Sequence, residues 1–261
     1  MTIPFRRRTA VRPSPVFLLF LALAAGSGWL VWTMDAGYPN RTDRAVMFIF
    51  VASMWVVSLS LHEFAHAFLA WRFGDHEVEA RGYLTLNPFK YAHPLLSIVI
   101  PVLVLLIGGI GLPGGAVWLH PHRFRTNLQR ALVSLAGPAV NLVFAVVAIW
   151  WVAHNQPLTG HSVFWLAMAA LGLLQLMGGI LNLLPIPGLD GWGAIEPYLD
   201  PSVQQGAQQL KPFGWLILFA LLQVNTINAK FFEFVNWVFG WSGLPTIYGQ
   251  LGIQLMQFWR N

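Results

Sequence analysis

The chain contains no cysteine, which excludes a disulfide framework, thiolate metal sites and a cysteine nucleophile. Charge is nearly as scarce. Asp, Glu, Lys and Arg make up 10% of the 261 residues, against about 25% in soluble domains. A surface with so few charges cannot face water on every side, so a soluble enzyme, a disordered chain and an extended nucleic-acid groove are excluded. There is no repeat at a fixed period and no Ser- or Pro-rich linker. The longest polar segment, about Asp75 to Lys90, is too short for a second soluble domain. What is abundant is apolar: 56% of residues are hydrophobic, with 13 Trp and 19 Phe, and the mean hydropathy is +0.60. Such a chain is solvated by the lipid bilayer, where aromatics favour the interfaces. The net charge of +5 does not imply nucleic acid, because Arg6, Arg7, Arg8 and Arg12 supply four of the fifteen basic residues. A basic tail beside an apolar run is a topology signal.

Apolar runs at 15–34, 45–71, 128–153 and 162–184, with another beginning at Phe213, predict membrane-spanning helices. The first run resembles a signal peptide, but Trp29-Leu30-Val31-Trp32 extends it past the small residues, and we read it as an uncleaved anchor. A further apolar stretch, 94–119, is broken by Gly108-Gly109, Gly111 and Pro113-Gly114-Gly115. The arginine cluster places the N-terminus in the cytoplasm. If 94–119 crosses fully, the basic loop 120–127 lies outside, against the positive-inside bias. If it dips in and returns, that loop is cytoplasmic. We therefore expect a re-entrant hairpin there. The fold predicted is an all-α polytopic membrane protein of about six transmembrane helices, with this hairpin and a short membrane-associated strand at 78–86. That strand rests on the alternation of Val78, Ala80, Gly82, Leu84 and Leu86 with mostly polar residues.

The second run carries His62-Glu63-Phe64-Ala65-His66. On a helix, His62 and His66 stand about 40° apart on one face, one turn above the other. Two imidazoles so placed share a metal ion, and Glu63 reaches a water bound to it. The alternative is a pair of histidines packed against neighbouring helices, or a proton relay. A glutamate and two histidines inside an apolar helix are costly unless they face a cavity and bind something. A catalytic zinc takes three protein ligands, so a third must come from elsewhere. Asp190 is the candidate, because Pro185 and Pro187 unwind the chain just before it and turn its carboxylate back towards the bundle. Only re-entry at 94–119 brings Asp190 to the same side as His62 and His66.

These segments, with Ala136-Gly137-Pro138-Ala139-Val140-Asn141, Asn182-Leu183-Leu184-Pro185-Ile186-Pro187-Gly188-Leu189-Asp190-Gly191 and Gly82-Tyr83-Leu84-Thr85-Leu86-Asn87-Pro88, resemble those of the site-2 protease family of intramembrane zinc metalloproteases, and they occur in the same order. The resemblance runs from about Leu59 to Trp241. It implies one Zn2+ held by His62, His66 and Asp190, with Glu63 as general base. It also implies Asn182 and Asn141 near the substrate peptide or the developing oxyanion. For Asn141 a helix–helix hydrogen bond is the competing reading, and Gly137-Pro138 reads as close helix packing. On this basis residues 1–44 form a basic cytoplasmic tail and first anchor, 45–241 the metalloprotease core, and 242–261 an apolar, interfacial tail. No PDZ or CBS domain is expected.

The function expected is endoproteolysis within or near a transmembrane segment of a single-pass membrane protein, in the plasma membrane, with the active site towards the cytoplasm. The strand at 78–86 would hold an unwound substrate by strand addition. The runner-up is a metal-ion transporter with a midspan His/Asp site, which would have no use for a general base. A dead scaffold would be expected to have lost a ligand or the base. His93, His120, His122, His154 and His161 flank the spans and read as interface or loop residues.

Overall fold

A long apolar run defines each major helix, and three of the four begin at a side-chain cap. The computed structural model describes residues 11–34, 39–91, 123–155 and 160–259. Helix α1 (Pro15–Thr33) begins at Ser14, whose hydroxyl accepts from the Phe17 amide, with proline in the first helical position. Helix α2 (Arg41–Arg72) begins with a reciprocal cap: Asn40 accepts from the Thr42 and Asp43 amides, and Asp43 accepts from the Asn40 amide. Helix α4 (Asn127–Asn155) starts after Thr126, whose hydroxyl accepts from the Gln129 amide. Helix α5 (Ser162–Asn182) follows it. Short helices surround these four: α3 (Glu77–Ala80), α6 (Asp190–Ile195), α7 (Pro201–Gln208), α8 (Gly214–Gln223), α9 (Asn225–Gly240) and α10 (Ile247–Leu255).

Helix α5 is the centre of the bundle. It is buried almost all round by α2, α4 and α10. Gly249 and Gly252 of α10 rest on Leu173 and on the Leu166 carbonyl of α5, while Arg44 of α2 donates to the carbonyls of Leu255 and Gln257. The outward faces are apolar. On α1, Leu18, Leu19, Trp29 and Leu30 are exposed, as are Val143, Val146, Val147 and Trp150 on α4. Bands of this kind are stable against hydrocarbon and not against water. With four helices long and apolar enough to span, this is a multi-pass membrane protein.

The expected count of about six spans is matched only in part. Among the described residues there are four, or five if the pair 211–223 and 225–240, bent by 94°, counts as one broken span. The expected hairpin at 94–119 lies wholly outside the described residues. The expected strand at 78–86 is corrected, and no strand occurs among the described residues. Residues 77–80 are α3, and residues 83–85 form a 3-10 turn between two left-handed positions, Gly82 (φ 77°) and Leu86 (φ 56°). Local bonds, Arg81 N–H to Glu77 O and Gly82 N–H to Glu79 O, take the backbone groups that a strand would offer outward. The carbonyls of Leu84 and Thr85 accept from the amides of Arg12 and Ser14, so the chain's own N-terminal stretch lies where strand addition was expected.

Helix α4 runs antiparallel to α2, since Val133 meets His66 while Asn141 meets His62. The C-terminal end of α2, the N-terminal end of α4 and the C-terminal end of α5 therefore share one side of the bundle. Arg123, just before α4, ties that side together by pairing with the fully buried Asp75 (3.2 Å) and with Glu77.

Candidate metal centre

His62, Glu63 and His66 lie ten to six residues before the end of α2, and all three are buried. Asp190 opens α6, eight residues beyond the end of α5. Pro185 and Pro187 stop α5 from continuing, and the linking turn closes on itself through Ile186 N–H to Leu184 O and Leu189 N–H to Ile186 O. Gly191 lets the turn fold back, because a Cβ there would stand 2.1 Å from the Leu183 carbonyl oxygen. The result is that Asp190 meets the two imidazoles. His62 Nε2 lies 3.2 Å from Asp190 Oδ2, and His66 Nε2 lies 3.4 Å from Asp190 Oδ1. The two Nε2 atoms are 3.1 Å apart.

These separations fit a cation. A tetrahedral ion with bonds of about 2.0–2.1 Å spaces its ligand atoms by roughly 3.3 Å. The protonation pattern points the same way. His62 Nδ1 faces Asn141 Oδ1 at 2.7 Å, and His66 Nδ1 faces the Val133 carbonyl oxygen at 2.6 Å. Both partners accept, so each Nδ1 carries the proton and each Nε2 presents a lone pair. Two lone pairs and a carboxylate then converge on one point, a donor set that a single cation satisfies. His, His and Asp with a position left open suit zinc.

Glu63 stands beside this group at 1% exposure, with Oε2 buried and no hydrogen-bond partner among the described residues. A carboxylate in that condition is placed to take a proton from a bound water. Tyr91 is close by. Its hydroxyl donates to the Ser60 carbonyl, and burial together with the Glu63 charge pushes the phenol above its usual range, keeping it neutral.

The expected residues thus divide. His62, His66 and Asp190 come together with Glu63 beside them. Asn141 sits behind His62, where its oxygen forms the interhelical bond that was the competing reading. Asn182 is buried at the last position of α5. Gly137 was read only as close packing, yet it faces the metal group directly. A Cβ on it would lie 2.2 Å from His66 Nε2 and 2.5 Å from His62 Nε2. The Val133 carbonyl was not singled out at all. The signal available was spacing: Val133, Gly137 and Asn141 recur every four residues on α4, opposite the four-residue step of the histidines on α2.

Known proteins resemble the chain over nearly its whole length. It is 51% identical over 253 residues to a protein of Mycolicibacterium smegmatis named "Putative zinc metalloprotease Rip2", covering 97% of this chain and 96% of that one. The protein of the same name from Mycobacterium tuberculosis strain H37Rv is 46% identical over 255 residues, with the same coverage. "Putative zinc metalloprotease YwhC" of Bacillus subtilis is 33% identical over 181 residues, covering 64% of this chain and 76% of that one. No profile of a known protein family and no solved structure matches the chain.

Proposed function

Because the chain belongs to the site-2 protease family and is a zinc metalloprotease, we propose that it is an intramembrane endopeptidase, cutting peptide bonds within or near the transmembrane segment of a single-pass membrane protein. The observation that carries this reading is the convergence of His62, His66 and Asp190 between apolar helices, with the Glu63 carboxylate alongside, its Oε2 unpartnered among the described residues. The names of the relatives favour a protease over the metal-ion transporter.

In this reading His62, His66 and Asp190 hold zinc. When bound there, zinc supplies Lewis acidity towards a water and towards the scissile carbonyl. Glu63 takes the proton of the attacking water and delivers it to the departing amine nitrogen. Asn141 and the Val133 carbonyl orient the two imidazoles from behind. The Asn182 side chain donates to the oxyanion as it forms. Packed apolar helices exclude bulk water, so the site admits an unwound peptide and a limited supply of water.

We place the N-terminus and the active-site end in the cytoplasm. Arg72, Arg81, Lys90, Arg123, Arg125 and Arg130 gather at the end shared by α2, α4 and α5, in keeping with the positive-inside bias. The ends that flank 94–119 share that side, as a re-entrant segment requires. The deciding experiment replaces Glu63 by Gln in the purified, zinc-loaded protein. Loss of cleavage of a membrane-spanning peptide with one zinc per chain retained supports the proposal, and undiminished cleavage overturns it.

A further inference from the structure

On α4, Arg130, Ser134, Gly137 and Asn141 follow one another at steps of four, three and four residues, so they fall within about 60° of one another on a single stripe. Three of the four touch the metal group or the helix that carries Asp190. Asn141 holds His62, Gly137 abuts both Nε2 atoms, and Ser134 Oγ lies 2.6 Å from where a Cβ on Gly193 of α6 would stand. Arg130 is the fourth. Its side chain is half-buried, and its Nε is fully buried with no hydrogen-bond partner among the described residues.

Among the described residues Arg130 makes no ion pair. Glu196, in the turn that packs on α4 beyond α6, is already held by Lys211 Nζ at 2.7 Å. Nor does Arg130 serve the helix, because a cation near a helix N-terminus opposes the macrodipole. A guanidinium whose Nε has lost water without gaining a partner among the described residues, while its terminal nitrogens stay accessible, is open to a ligand that supplies one, and a planar fork of N–H donors matches a carboxylate. Seven residues separate it from Gly137, about 10 Å along the helix. An extended peptide covers that distance in about three residues.

We propose that Arg130 is a specificity-determining residue that binds a carboxylate side chain of the substrate, about three residues from the scissile bond, on the flank lying towards the start of α4. The inference rests on the protease reading above. It assigns the chain a preference for substrates with Asp or Glu just inside the membrane boundary on that flank.

The test uses the full-length, zinc-loaded protein in detergent and a synthetic apolar peptide with a Gly-Pro break at its centre. A single Asp, or Asn as control, is walked through the four residues on either side of the cut. In the wild type, Asp at one position on one flank should raise kcat/KM about tenfold over Asn. In Arg130→Gln that ratio should fall to near one, and Arg130→Glu should prefer Lys at the same position. A wild-type ratio below about twofold everywhere overturns the proposal. So does an Arg130→Gln variant that loses the Asp and Asn peptides equally, as a purely structural arginine would. Binding of the same peptides to zinc-loaded Glu63→Gln, read by fluorescence anisotropy, separates the two proposals. If the wild type cuts nothing, the protease reading fails. Arg130 is then judged by whether Asp tightens binding in Glu63→Gln and ceases to do so when Arg130→Gln is added.

Discussion

Asn141 holds His62 from behind, its amide oxygen 2.7 Å from Nδ1 across the contact between α4 and α2. That bond fixes the tautomer in which Nε2 offers a lone pair, so a residue that touches no metal governs how well one is bound. Asn141→Ala should therefore weaken zinc about 10- to 100-fold. Asn141→Asp, which keeps the acceptor, should stay near the wild type. Competition with a chromogenic chelator measures both. Equal affinity of wild type and the alanine variant would remove the positioning role.

Gly137→Ala separates folding from function. In a helix interior alanine is favoured over glycine by about 0.5–1 kcal/mol, so α4 should not be weakened by propensity. The new methyl would stand 2.2 Å from His66 Nε2, in the space between the imidazoles and α4. The expected outcome is loss of zinc and of cleavage with helical content retained, read by metal analysis and circular dichroism. A variant that binds zinc normally would show that the helices separate readily here.

Zinc should stabilise the fold. It would tie His62 and His66 of α2 to Asp190 of α6, whose ligand atoms stand 3.1 to 3.4 Å from one another. Chelation should lower Tm, and zinc at about 1,000 times its Kd should restore about 4 kcal/mol. Asp190→Ala should abolish that dependence. Thermal unfolding in detergent, with and without chelator, is the measurement, and an unchanged zinc response in the variant would remove Asp190 from the ligand set.

Arg123 should matter for stability more than for chemistry. It joins the loop after α2 to the start of α4 by pairing with the buried Asp75 and with Glu77. Arg123→Ala should cost about 1.5–3 kcal/mol, the range for hydrogen bonds to charged groups. Arg123→Lys should recover only part, because an ammonium cannot reproduce the fork that spans two carboxylates. Denaturant unfolding in mixed micelles gives both values.

Much of this was legible from residue types. The spans at α1, α2, α4 and α5 followed from runs of apolar residues, because lipid admits little else. The histidine pair followed from the helical repeat, and Asp190 from being a carboxylate beyond two prolines. The strand at 78–86 was misjudged because alternation over nine residues does not report backbone angles. Left-handed Gly82 and Leu86 turn the chain where the pattern suggested extension. Asn141 carried two readings that only its partner could separate.

By itself the sequence determined the solvent, the long helices and the three side chains that meet at the candidate metal centre, since hydrophobicity, helical period and ligand chemistry are properties of residues and their near neighbours. Only the tertiary structure decided that Gly137 faces the imidazoles, that the Val133 carbonyl and Asn141 set their tautomers, and that Arg130 shares their stripe with its Nε unpartnered among the described residues. Those facts depend on how α4 is rotated against α2 and α6, and that rotation is a compromise among packed side chains far apart in the chain.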